Sequence, residues 1–461
     1  MTELAGPVSE TTSTREIADL RRAVSGPVWD PGDVDVVAEL AGFNLAPRHE
    51  PVAVVGATSA DDVAAAVRWA RARGVGVGVI ATGHADFSHR GVLVVSTKRL
   101  DRCDVDPVAR TVTVGAGVKW ARVLEAAAPH GLSAVTGSSS DVGVVGFSTG
   151  GGIGPVVSRY GYGCDRVRHM RVVTGDGQSR EVSPTQDPEL FHAMLGGKDA
   201  AGIVVEMTVE LVEMTRFYGG AIFFDAADAA AVMHAWRQWQ PTLRENTTTS
   251  IAILRMPDME AVPPPLRGRT VVHLRVAHLG PEIEGLEVVR PMRLVATPIM
   301  DMVEEMPAVA MDAVHCDPTD PLPAWATGGF LQSVDAGTID ALLEAAGPQH
   351  ELPLIMVELR AIGGAGMRGT AGCMPRAPYL LGIVAPMVPP LEQVVPAVAH
   401  GIVDALAPWS DGSVPVNFAS PQTIAARPGA CWSDEARAGL IDVSRRVDPD
   451  GVLGGRRLGL R

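Results

Sequence analysis

The sequence predicts an α+β chain in two packed parts: a glycine-rich first half, a middle part built on an antiparallel sheet flanked by helices, and a short C-terminal element. Three observations carry that expectation. The chain has 461 residues, more than one ordinary hydrophobic core organises. From Pro51 it alternates strand, helix and strand. Near Thr215 this texture gives way to apolar, strand-like runs separated by proline-rich connections.

In order, PVAVV from Pro51 reads as a short strand, and Ser59 with Asp62 three residues on reads as a capping box. Val63, Ala66, Val67 and Ala70 form the apolar face of the helix that follows, which Gly74 closes. VGVGVI from Val75 is the next strand and runs into the loop ATGHADFSHRG before a further strand, VLVVST. The loop therefore delivers Gly83 and His84 to a sheet edge, where α/β proteins bind ligands. TVTVGAG from Thr111 alternates with period two, and WARVLEAAAPHG from Trp120 is a helix ending at Gly131. VRHMRVVTGDGQSREVS is a hairpin, and IVVEMTVELV from Ile203 is another strand.

After Thr215, SIAILRM, TVVHLRVAHLG, LIMVELRAIGG and YLLGIVAP read as the strands of a separate antiparallel layer. The tail from Asp411 offers a strand-like VPVNF and a helix over SDEARAGLIDVSRRV. The expected organisation is 1–214, 215–409 and 410–461. No fixed-period repeat is present.

Composition removes several function classes. The formal net charge is −14, which excludes a basic nucleic-acid binder. Lysine occurs only at Lys98, Lys119 and Lys198. The five cysteines are scattered without a CxxC pair, arguing against a disulfide framework or zinc knuckle. The N-terminus lacks the basic start and apolar stretch of a secretory signal, and no apolar run approaches a membrane span. The expectation is a soluble, cytoplasmic protein with no membrane and no nucleic-acid partner; its oligomeric state is not legible.

The 50 glycines and 35 prolines follow no collagen-like period, so the glycines serve particular turns and close approaches. They are densest in VTGSSSDVGVVGFSTGGGIGP, residues 135–155. Bare backbone there and around His84 suits a phosphate-bearing or flat-ring cofactor, since exposed N–H groups bind an anion without a lysine. The alternative is a set of tight turns. A Rossmann fingerprint is excluded because GGGIG lacks the G-x-G-x-x-G turn with an acidic residue about 20 positions on, and no Gly-Lys-Ser/Thr exists for a Walker motif. His84, Asp86 and His89 could form a metal site, but no second ligand cluster accompanies them; no metal is expected.

On the substrate side, Glu358 and Arg360 lie two apart in a strand and share a face. They read either as a base with a substrate anchor or as a structural bridge. Tyr379, in PRAPYLLG after Arg376, is the alternative base or orienting group. His273 and Arg275 also share a face and read as a satisfied sheet pair.

These segments together carry a family resemblance. The loop from Ala81, the strand VTVGAGVKW, the run HGLSAVTGSSSDVGVVGFSTGGGIG, then RYGYGCDRV and PELFHAMLGG, occur in one order that resembles the berberine-bridge-enzyme type of FAD-linked oxidases, in the vanillyl-alcohol-oxidase class. VNF at Val416 and DPDGVL at Asp448 resemble that family's C-terminal element. The resemblance implies a two-part PCMH-type FAD-binding domain, completed by the C-terminal element, and a substrate domain whose sheet covers the flavin.

The resemblance further implies cofactor contacts at Ala81, Thr82, Gly83, His84 and Ala85. Gly137, Ser138, Ser139, Val142, Gly143 and Gly146 follow, and then Thr149, Gly150, Gly152 and Gly154. Gly202, Val204 and Asn417 complete the set. His84 matches the histidine that bonds the flavin 8α-methyl, and 138–140 is Ser-Ser-Ser where relatives carry a second, cysteinyl link; one covalent bond is expected. The implied activity is hydride transfer from a CH–OH or CH–NH centre of a bulky, secondary-metabolite substrate, with dioxygen as acceptor and Glu358, Tyr379 and Arg360 as the catalytic group. The alternatives are a redox-neutral or cyclising flavoprotein and a flavin-free binding protein on the same scaffold. The sequence departs from the family at Gly196-Gly197-Lys198-Asp199-Ala200-Ala201-Gly202 and at Gly439, Ser444 and Val447.

Overall fold

The computed structural model describes residues 14–369, 375 and 377–461; Cys373 and Arg376 lie outside them. Ala53–Gly56, Leu93–Ser96 and Val77–Ile80 form a parallel ladder in that spatial order, with Val28–Trp29 antiparallel on the far side. Val77–Ile80 is thus an edge strand, and the chain leaves it directly into the loop bearing His84. The covering helix Ala60–Arg71 starts where Ser59 Oγ accepts the Asp62 N–H. Only half of the expected capping box forms. The Asp62 carboxylate instead accepts from the Ser25, Gly26 and Thr58 amides and the Thr58 hydroxyl, anchoring an earlier segment.

A second, antiparallel sheet runs Cys103–Asp106, Thr111–Gly115, Ile203–Glu210, Val167–Val173, Ser179–Val182. Its alternating buried residues, such as Val112, Val114, Met207 and Val209, share a core with Leu440, Val443 and Val447 of the C-terminal helix Asp434–Val447. The last segment of the chain therefore packs back onto the first half.

Between them lies an eight-stranded sheet within residues 216–386, covered on one face by the helices Ala229–Trp239, Glu282–Arg293, Ala336–Ala346 and Val395–Ala405. Strand parity sorts its residues. Val357, Leu359, Leu381 and Ile383 enter the helix-covered core, whereas Phe330 and Leu380 pack into the core of the first part. Two of its strands, Arg216–Asp225 and Ala324–Leu331, are absent from the sequence reading because paired glycines interrupt each apolar run. At Gly328 the pairing needs glycine, since a Cβ would stand 2.1 Å from the Leu381 carbonyl oxygen. The strand-like VPVNF is a short 3-10 turn at Val416–Phe418. No helix among the described residues is long and apolar enough to cross a membrane.

Candidate functional site

A cavity of about 420 Å³ opens between the two glycine-rich segments, the substrate sheet and the C-terminal turn. Its floor starts at the loop after Val77–Ile80. Gly83 has φ +66° and lies so close to Gly42 that a Cβ would stand 2.5 Å from the Gly42 Cα. The loop is pinned there by the Phe43 and Asn44 amides, which donate to the Thr82 and Gly83 carbonyls at 2.9 Å each.

This pinning fixes His84. Its ring stacks on Phe43 at 4.4 Å and 6°, and Nδ1 lies 3.0 Å from the Thr82 hydroxyl. With Nδ1–H donating to Thr82, Nε2 carries a bare lone pair, and that atom is buried without a partner among the described residues. Burial pushes the imidazole down to about 4, so the ring is neutral at physiological pH. A neutral imidazole with one oriented, unsatisfied nitrogen fits a nucleophile awaiting an electrophilic carbon. Two residues on, burial pushes the Asp86 carboxyl up to about 7.

The expected cofactor residues divide by position. Ala81, Thr82, Gly83, His84 and Ala85 line the cavity, as do Gly137, Ser138, Val142, Gly143, Gly146 and Thr149. Gly202, Val204 and Asn417 line it too. Ser139, Gly150, Gly152 and Gly154 are not among the residues that line the cavity. Ser139 Oγ accepts from the Asp141 amide. At the three glycines a Cβ would meet Asn417 Oδ1 at 1.9 Å, the Phe147 ring at 2.5 Å and the Thr136 carbonyl oxygen at 1.7 Å. Those glycines pack the chain against itself. Gly146 differs, because a Cβ there meets no protein atom within 4 Å and would project into open space.

Asn417 joins the C-terminal turn to this wall. Its amide nitrogen donates to the Phe147 carbonyl at 3.0 Å, and its Oδ1 accepts from Lys198 Nζ. Lys198, with φ +52°, also donates to the Gly146 carbonyl at 2.9 Å, and burial lowers its ammonium to about 8. The neighbouring Asp199 pairs with Arg457; burial alone would raise its carboxyl, but that guanidinium holds it below the usual range. Arg457 also lies 5.5 Å over the Phe87 ring. Arg457 and Phe43 escaped the sequence reading, since each matters only through a partner hundreds or tens of residues away.

The expected catalytic trio does not gather at the cavity. Glu358 is 1% exposed and does not reach the cavity. It accepts from Arg275 Nη1 at 2.5 Å and Arg360 Nη2 at 2.9 Å. Burial would raise its carboxyl, but the two guanidiniums hold it well below the carboxylate range, the opposite of what a general base requires. Tyr379 shares parity with Leu381 and Ile383 and packs on the helix-covered face, where Gln240 donates to its hydroxyl at 2.6 Å. Of the three, only Arg360 is on the cavity wall. The expected His273–Arg275 pair forms at 3.2 Å, with Arg275 Nε donating to Nδ1.

An orphaned buried imidazole nitrogen, an open glycine wall and polar groups at both ends fit a flavin dinucleotide, and comparison with known proteins agrees. The family described as FAD binding domain matches residues 51–183. The (R)-6-hydroxynicotine oxidase of Paenarthrobacter nicotinovorans is 32% identical over 174 residues, which span 37% of this chain and 38% of that protein. The FAD-dependent monooxygenase FUP4 of Fusarium proliferatum is 32% identical over 175 residues, 37% of this chain and 34% of its own length. These matches therefore span well under half of the curated relatives. Among solved structures, 6-hydroxy-D-nicotine oxidase from Arthrobacter nicotinovorans superposes with TM-score 0.79 at 21% identity, covering 98% of both chains. The Acremonium strictum glucooligosaccharide oxidase superposes with TM-score 0.82 at 17% identity, covering 96% of this chain and 98% of that one. The chain thus matches an FAD-binding domain over residues 51–183 and shares the fold of these two oxidases over nearly its whole length.

Proposed function

We propose that the protein is an FAD-dependent oxidase acting on a CH–OH or CH–NH centre of a bulky small molecule, with the flavin held covalently by His84. When bound, the flavin supplies the hydride-accepting chemistry and the reaction with dioxygen. The observation that carries the reading is the orphaned Nε2 of a neutral His84 at the floor of a glycine-walled cavity. Thr82 and Phe43 orient that nitrogen, and the 81–85 loop and the Gly143 and Gly146 backbone offer the close approach a pyrophosphate and ring edge need. Asn417 and Lys198 add an amide and an ammonium to the Gly146 wall. Cys103, Cys316 and Cys431 are free thiols, which suits work in a reducing cytoplasm.

A second reading has one specific observation behind it. Neither Glu358 nor Tyr379 lines the cavity, and the Arg360 guanidinium, which does, carries hydrogen-bond donors and no acceptor. That arrangement favours a redox-neutral or cyclising activity in which the bound flavin shapes the pocket. Anaerobic mixing with a turned-over substrate decides between them. Bleaching of the flavin band with peroxide formed on re-aeration supports the oxidase, turnover without bleaching supports the redox-neutral reading, and a colourless purified protein removes both.

A further inference from the structure

Beneath the substrate sheet lies a charge cluster that the flavin chemistry leaves unused. Arg275 and Arg360 are 1% and 4% exposed, and Glu358 sits between them. His273 and His315 complete the group; burial, reinforced by Arg275, holds both imidazoles neutral, His315 at about 4. The nearby Asp312 is engaged elsewhere, accepting from the Ser140 amide and hydroxyl at 2.8 and 2.6 Å. Two guanidiniums therefore face one carboxylate, leaving a buried positive charge without a matching anion. A surplus of this kind is costly unless something negative compensates it.

The surplus has a direction. Arg275 is fully engaged, with Glu358, His273 Nδ1 and the Met356 sulfur at 2.5, 3.2 and 3.3 Å. Arg360 is not. Its Nη1 makes a long 3.3 Å bond to the Ile153 carbonyl, its buried Nε has no partner among the described residues, and it is the member of the cluster on the cavity wall. Glu358 holds the guanidinium from one side, and Ile153 brings it to the flavin-domain side of the cleft.

We propose that Arg360 is the specificity-determining anchor for an anionic substrate, its loosely held Nη1 taking a carboxylate or ionised phenol of the molecule in the cavity. Resting on the small-molecule oxidase reading, this assigns the substrate class: an organic acid or acidic phenol, in place of a neutral sugar or a cationic amine. Glu358 is then a positioning residue, holding the fork in place and absorbing one of the two charges.

The test is calorimetric titration of the purified holoprotein with benzoate and with benzamide, its neutral isostere. Benzoate is expected to bind saturably, and benzamide about tenfold or more weakly, as the loss of a charge-assisted bond implies. Arg360→Gln should weaken benzoate by a similar factor and leave benzamide unchanged, with flavin content and unfolding midpoint retained because Arg275 and Glu358 remain a matched pair. Arg360→Lys, which keeps the charge, should recover part of the benzoate affinity. Equal affinity for the two probes, no saturable benzoate signal, or an unaltered Arg360→Gln variant overturns the proposal. So does displacement of benzoate by an equal concentration of inorganic phosphate, which marks a general anion hole. A colourless protein would defeat the oxidase reading, while the calorimetric comparison still decides the anion site.

Discussion

Replacing Glu358 by Gln should damage this fold far more than replacing Arg360 by Gln, although each removes one charge from the same cluster. Glu358 is the carboxylate that two guanidiniums share, at 2.5 and 2.9 Å, with 1% exposure. Without it two positive charges stay buried and unpaired, a change that costs about 3–5 kcal/mol. That is a large share of the roughly 5–15 kcal/mol of a typical domain. Arg360→Gln leaves Arg275 and Glu358 paired and removes the surplus charge, so its cost is that of altered hydrogen bonds, under about 2 kcal/mol. Urea unfolding followed by tryptophan fluorescence reads the difference. Midpoints are compared at equal flavin loading, since bound cofactor adds stability. At a slope of about 3 kcal/mol per molar, Glu358→Gln should lower the midpoint by about 1 M or more. A Glu358→Gln midpoint equal to that of the parent protein, or an Arg360→Gln midpoint as low as that of Glu358→Gln, would refute the assignment of Glu358 as the bridge.

Other expectations follow from the same geometry. Gly146→Val should fold normally but retain little flavin, because Gly146 is part of the cavity wall and a Cβ there stands in open space; absorbance ratio and circular dichroism check it. Gly154→Ala should instead fail to accumulate as folded protein, since its Cβ would collide with the Thr136 carbonyl. Thr82→Val should slow covalent incorporation of flavin by removing the partner that orients His84, as read by denaturing gel fluorescence over time. In pH-dependent unfolding, the depressed imidazoles of His273 and His315 mean that the folded chain resists protons the unfolded chain accepts. Their contribution should be flat above about pH 6.5 and fall by about 1.4 kcal/mol per pH unit for each as pH drops toward 4, read as the difference between the pH profiles of the parent and of a His273→Gln, His315→Gln variant; identical profiles would contradict their neutral burial.

The sequence made the cofactor side legible because its determinants are local. A strand ending in Gly83-His84 and a glycine cluster over 143–154 each announce bare backbone within a few residues. What the sequence could not show was which glycines face a ligand and which face the chain: Gly146 and Gly150 look alike until Asn417 is found against the second. The substrate side was legible only to parity. That Glu358 and Arg360 share a face follows from strand geometry, but their third partner, Arg275, arrives through strand register, which one sequence does not reveal. Tyr379 failed for the same reason, because choosing its face requires knowing which side the helices cover. The glycine-interrupted strands at 216–225 and 324–331 read as loops because the glycines that let neighbours approach also break the apolar run.

The central claim is that His84 is where the flavin is attached, and peptide mass mapping after denaturation and trypsin tests it most directly. Flavin should stay with the denatured chain, on the tryptic peptide of residues 74–90, with fragment ions placing the added mass on His84 and leaving His89 unmodified. Flavin released entirely into the acid supernatant, or an adduct on any other residue, would contradict it.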